Sequence, residues 1–321
     1  MKHFLIILLM FCNTYAFSNT IDSLKTDKEI ERFIHGLYVQ KYPHSYSNKY
    51  DIFSIKKPDS IYHVITCDSI ISSWSLNKWQ KIDFNQDGYT DLFAVIYIRN
   101  INETGSSYHI CSVVDKGNNT FKLSEIPTDF TFGCHAAMPI FIRSKPYLLY
   151  RYHETKDSLE VLPNGTNLLY YDVNKTDTLI YKYGGFIEVN NNQQNNLQIE
   201  SLYFENFCGM MPCPSYKLNI YKDGTAYCIV GEVNDHPGGN YKGNITKKML
   251  EEIFNLIHYI DIKNLRNYYN VNATDMESCN VNVYFSDGSI KKINDYGMQG
   301  TFGLNRLYNL LTYLCSHQNW K

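Results

Sequence analysis

The segment Tyr216-Lys-Leu-Asn-Ile-Tyr-Lys-Asp-Gly-Thr-Ala-Tyr-Cys-Ile-Val230 decides the fold of the C-terminal part of this chain. Two runs, Tyr216–Tyr221 and Thr225–Val230, read as strands, rich in aromatic and β-branched residues. Between them, Lys222-Asp223-Gly224 supplies the positive backbone angles that a tight hairpin demands. Upstream, Leu202–Phe204 adds a further strand. Downstream, Asn244-Ile245-Thr246 offers a helix start, and Met249, Ile253, Ile257 and Ile260 recur at helical spacing. Val281–Phe285 and Ser289–Ile293 form a second hairpin around Asp287-Gly288, and Leu304, Leu307, Leu310 and Leu314 predict a closing helix. The order β-β-β-α-β-β-α predicts an antiparallel sheet with two helices on one face, an α+β domain over residues 197–321.

Immediately before it, residues 190–196 are all Asn or Gln. Such a run cannot bury itself, so it is read as a linker. Residues 61–189 are read as a mostly-β domain, partial propeller-like or sandwich. Its expected strands are Tyr62–Thr66, Asp91–Ile98, Tyr108–Val114, Ile140–Arg143, Tyr147–Tyr152, Leu168–Val173 and Thr178–Tyr183, with Asn-, Gly-, Asp- and Pro-rich separators. Residues 17–60 form a lead segment in which Ile30, Phe33, Ile34 and Leu37 predict a short helix.

Residues 1–16 fit a secretory signal peptide. Lys2 and His3 precede the apolar run Phe4–Cys12 and the small-residue approach Thr14-Tyr15-Ala16. The run falls short of the roughly 20 residues a bilayer span needs. Phe11 occupies the place where a lipoprotein box wants a small residue, which argues against a lipid anchor at Cys12. The expected location is extracytoplasmic: periplasmic, cell-surface or secreted. The formal net charge of -2, without a basic stripe, gives no footing for nucleic acid. The 28 tyrosines favour strands and faces that meet a partner, with protein or glycan as the expected class.

One stretch carries metal chemistry. In Asp83-Phe-Asn-Gln-Asp-Gly-Tyr-Thr-Asp91, oxygen side chains fall at Asp83, Asn85, Asp87 and Asp91, and Gly88 permits the backbone to curl between them. The Tyr89 carbonyl completes the candidate set. Calcium takes six to eight such oxygens at about 2.3–2.6 Å. An EF-hand would place Glu where Ala94 stands, and a strand-like run follows the loop instead of a helix. The loop resembles the FG-GAP (VCBS-type) repeat of integrin α-chains and related bacterial propellers. That resemblance implies structural calcium on Asp83, Asn85, Asp87, Tyr89 and Asp91. The stretch Cys208-x-x-x-x-Cys213-Pro-x-Tyr216, with the strands and helices after it, resembles an uncharacterised domain family of exported bacterial proteins. That second resemblance spans most of residues 200–320 and implies no activity.

Without the signal peptide, the remaining cysteines fall in odd numbers on either side of the linker, so either one bridge joins the halves or each side keeps a free thiol, the latter expected because buried cysteine packs as a small apolar group. Cys208 and Cys213 are separated by four residues rather than two, and a strand follows, so they read as structural rather than redox-active. Cys134-His135 lie next to each other on a strand and point to opposite faces. His236 is read as a solvated loop residue. No phosphate loop, nucleophile elbow or His-Glu-x-x-His helix occurs. The sequence therefore points to an exported binding or structural protein with structural calcium. An extracytoplasmic hydrolase with a site between the domains is the alternative.

Overall fold

The computed structural model describes residues 20–42, 51–55, 74, 76–100, 106–126, 135–162, 165–191, 197–210, 213–232, 238–271, 273–318 and 320. The signal segment with Cys12, the expected strand Tyr62–Thr66, Cys67, Cys134, residues 192–196 and His236 lie outside the described residues. The chain divides into two compact units, one from residues 1–57 and 78–125, the other from 58–77 and 126–321.

The first unit opens with α1 (Thr20–Ser23) and α2 (Asp27–Lys41), followed by β1 (Asp51–Ile55), β2 (Trp79–Ile82), β3 (Asp91–Asn100), β4 (Ser106–Asp115) and β5 (Phe121–Glu125). The Thr26 hydroxyl accepts from the Glu29 N–H at 3.3 Å, and the Glu29 carboxylate accepts from the Thr26 N–H at 2.8 Å, a capping box that starts α2. Asp27 then accepts from Lys78 Nζ and Trp79 Nε1, tying the helix start to β2. The antiparallel sheet runs β1-β3-β4-β5, with β2 on β3. Ile30, Ile34 and Tyr38 of α2 pack on Leu92, Ala94 and Ile96 of β3 and on Cys111 and Val113 of β4.

In the second unit β6 (His135–Ile142), β7 (Lys145–Leu162), β8 (Gly165–Lys182) and β9 (Gly185–Glu188) form a four-stranded antiparallel meander. There follow β10 (Ile199–Phe207), β11 (Tyr216–Tyr221), β12 (Thr225–Val230), β13 (Gly239–Asn244), α3 (Lys247–Tyr259), β14 (Tyr268–Tyr269), β15 (Ser278–Phe285), β16 (Ile290–Tyr296) and α4 (Phe302–His317). They build a seven-stranded sheet in the order β13-β12-β11-β10-β15-β16-β14, antiparallel except for the parallel β14–β16 pair. Gly224 and Gly288 take φ of +86° and +82° in the two Asp-Gly hairpins.

The predicted α+β order holds, with β13 and β14 added to it. Alternate strand residues, among them Val283, Leu202, Ile220 and Ala226, face one core with Ile253, Leu256 and Ile257 of α3 and Leu304, Leu307, Leu311 and Leu314 of α4. Both helices therefore cover the same sheet face. The N-terminal β content falls into two separate antiparallel sheets, and neither closes into a barrel. The composition break at 190–196 joins β9 to β10 inside the second unit. Long-range bonds cross that break: the Glu188 carboxylate accepts from the Phe302 and Gly303 N–H groups of α4 at 2.6 and 2.9 Å.

Candidate functional site

The 83–91 loop lies between β2 and β3 and is curled by positive φ at Gln86 (59°) and Gly88 (90°). Its acidic side chains turn onto its own backbone. Asp83 accepts from the Asp87 N–H at 3.2 Å and the Gly88 N–H at 3.0 Å, and Asp87 Oδ1 accepts from the Tyr89 N–H at 2.9 Å. The Asn85 amide donates to Asp87 Oδ2 at 2.7 Å, and Asn85 Oδ1 accepts from the Asp87 N–H at 3.2 Å. Asp83, Asn85 and Asp87 thus meet in one network. The Tyr89 ring lies against Gly117, where an added Cβ would come within 3.1 Å of it.

Asp91 stands apart from the network in role. It is fully buried, and its two oxygens accept from the Phe84 and Asp115 N–H groups, each at 2.9 Å. Burial pushes its pKa up to about 7 against these two bonds, and the charges of Asp83 and Asp87 add to the rise. Asp115, equally buried, accepts from the Gly117 N–H at 2.7 Å through one oxygen, while the other has no hydrogen-bond partner. Sequence reading missed Asp115, since nothing local marks a residue 24 positions from Asp91 as its anchor.

The donor set is all oxygen and suits a hard cation. Among the described residues, however, no three His, Cys, Asp or Glu side chains stand together as a metal cluster. Binding would require the Asn85–Asp87 bond to open and the Asp83 and Asp91 oxygens to share an ion with the N–H groups they now accept from.

In the second unit, a cleft of about 470 Å³ is lined by Tyr147, Thr176, Asp177, Thr178 and Glu188, among others. Burial raises the Glu188 pKa, opposed by its bonds to the α4 N-terminus, and the Asp177 charge adds to the rise. Both Glu188 oxygens are committed to those N–H groups, so the carboxyl serves as a helix cap rather than a proton carrier. Asp295 in β16 is alike: fully buried, accepting from the Gln299 and Gly300 N–H groups, with its pKa raised by burial.

Each of these two groups holds its proton more tightly folded than unfolded. Their contribution to stability is present below the unfolded value near 4 and is lost as pH rises through the folded value. Carboxylates with lowered values, such as Glu205 and Asp287, act with the opposite sign and at pH below about 4. The urea midpoint is therefore expected to differ with pH, falling as pH rises above about 4 through the range of these two raised carboxyls. A Glu188→Gln/Asp295→Asn variant should lose part of that difference. An unchanged difference would contradict the assignment.

The other face of the seven-stranded sheet is open. One register line across it reads Lys292, Asn282, Tyr203, Asn219, Tyr227, Lys242. The neighbouring line carries Ile290, Tyr284, Ser201 and Tyr221. Tyr221, Tyr227 and Ile290 are 42%, 41% and 49% exposed, so rings stand in solvent where the opposite face is closed. Tyr221 and Tyr227 meet edge to face at 6.1 Å, and Lys242 lies over the Tyr227 ring at 5.3 Å. Beside them the Glu205 carboxylate is paired with Lys217 at 2.9 Å and accepts from the Tyr203 hydroxyl at 2.9 Å. The result is a face of rings and amides on which the Glu205 carboxylate is already paired.

Cys208 and Cys213 are disulfide-bonded, while Cys111, Cys228, Cys279 and Cys315 are buried free thiols. His135 begins β6 and bonds Tyr150 at 3.0 Å. Among the described residues, no helix is long and apolar enough to cross a membrane.

The second unit thus carries an α+β domain with one helix-covered and one open sheet face. Residues 200–315, from β10 into the last turn of α4, match the domain of unknown function family DUF6438, less than half of the chain. No curated protein and no solved structure matches the chain. The matched family accords with the uncharacterised-domain resemblance, and the FG-GAP resemblance of the 83–91 loop has no counterpart among the matches.

Proposed function

We propose that the protein is an extracytoplasmic binding module whose open sheet face holds an extended glycan, with calcium in the 83–91 loop as a structural ion. One observation carries the reading: four tyrosines, Tyr203, Tyr221, Tyr227 and Tyr284, share one sheet face with Asn219 and Asn282, and Tyr221 and Tyr227 stand exposed on it. Sugar rings present C–H faces that stack on tyrosine, and their hydroxyls pair with side-chain amides. An open sheet face suits a linear polymer better than a small solute, which seeks a concave pocket. In the loop, Asp83, Asn85, Asp87, Asp91 and the Tyr89 carbonyl would hold the ion. The ion would neutralise the negative charge beside β3 and pin the β2–β3 connection.

Affinity electrophoresis of the full chain through gels containing neutral or acidic polysaccharides tests the glycan reading. Retardation is expected in at least one gel, with Tyr203→Ala/Tyr227→Ala weakening it roughly tenfold or more. The circular dichroism of that variant should stay unchanged, because both side chains project from the open face. Free migration of the wild type in every gel, or equal retardation of the variant, would overturn the reading.

A further inference from the structure

Two thiols of the second unit face each other. Cys228 sits in the middle of β12, fully buried on the helix-covered face, and Cys315 lies in the last turn of α4, 3% exposed. The two side chains approach each other within one buried core. The surroundings fix that approach from both sides. Cys228 is registered between Leu218 of β11 and Tyr241 of β13. The Cys315 carbonyl accepts from the Trp320 indole N–H at 2.8 Å, and the Trp320 ring rests on Gly243 of the same β13, 3.1 Å from where a Cβ would stand. The end of α4 is thereby clamped over β12 and β13. The other cysteines of the domain are placed differently, with Cys279 opposite Asp295 across β15 and β16 and Cys208 bonded to Cys213.

We propose that Cys228 and Cys315 are joined by a disulfide when the chain folds in an oxidising compartment, closing α4 onto β12. The oxidant is a small-molecule disulfide, R–S–S–R. One cysteine thiolate attacks it, forming a mixed disulfide and releasing RS⁻, which takes up the proton. The second thiolate displaces the remaining RS⁻, so the two cysteines lose two protons and two electrons and two RSH are formed. Both sulfurs are closed off in the finished core, which assigns the exchange to folding.

The test refolds the full chain from denaturant in mixed reduced and oxidised glutathione, then alkylates it under denaturing conditions with iodoacetamide and maps the peptides by mass. The expected product is one species joining the Cys228 and Cys315 peptides, lighter by two hydrogens than their sum and released by reductant. In the same sample Cys279 should carry the alkyl label. In a Cys315→Ser chain, Cys228 should become alkylated, a readout that does not require the variant to fold. Full alkylation of Cys228 and Cys315 in the wild type, or linkage of either one to another cysteine, would overturn the proposal.

Discussion

Alanine at Asp87 is expected to abolish the calcium uptake proposed for the 83–91 loop, with affinity falling at least about a hundredfold. Asp87 is the hub of the loop. Its N–H donates to Asp83 and Asn85, its Oδ1 accepts from the Tyr89 N–H, and its Oδ2 meets the Asn85 amide. Removing the carboxylate would take away a proposed negative ligand and the contact to the Asn85 amide. Calcium affinity in such loops follows ligand charge, so Asp87→Asn should retain more binding than alanine. Calorimetry on chelator-treated full-length protein reads both variants, and terbium emission excited through Tyr89 gives an independent signal. Equal heats for wild type and Asp87→Ala, or no heat for the wild type, would leave the loop as a self-bonded turn without an ion.

Local chemistry made much of this fold legible. Thr246 caps α3 through the Met249 N–H, ahead of apolar residues at helical spacing, and both Asp-Gly hairpins put glycine at positive φ. What escaped reading depended on partners distant in sequence. The β13 segment Gly-Asn-Tyr-Lys-Gly-Asn has no apolar alternation, and becomes a strand because β12 pairs with it and Trp320 covers it. The β7–β8 hairpin pairs continuously from Leu148–Leu179 to Leu162–Gly165, whereas its polar middle reads as a set of shorter strands. Each tyrosine of the open face is visible alone in the sequence. Their gathering on one platform depends on register across four strands, which alternation within one strand does not specify.

The largest stability loss from a single side chain outside the apolar core is expected at Asp295→Ala, about 3 kcal/mol. The carboxylate is 0% exposed and accepts from the Gln299 N–H at 2.7 Å and the Gly300 N–H at 2.9 Å. These two bonds shape the turn that carries Gly297, at φ +85°, into the Thr301 cap of α4. A Cβ on Gly300 would lie 2.5 Å from Asp295 Oδ2, so no other residue fits this close approach without displacing the carboxylate. Alanine leaves both donors without their acceptor, at roughly 1–3 kcal/mol per group, and relief of the buried charge returns part of that cost. Asp295→Asn, with one amide oxygen left to accept, should fall between wild type and alanine. Urea unfolding followed by circular dichroism measures the change as a lowered midpoint at constant slope. A loss under about 1 kcal/mol would mean that solvent or a rearranged turn satisfies those N–H groups, and that α4 is held by its apolar face alone.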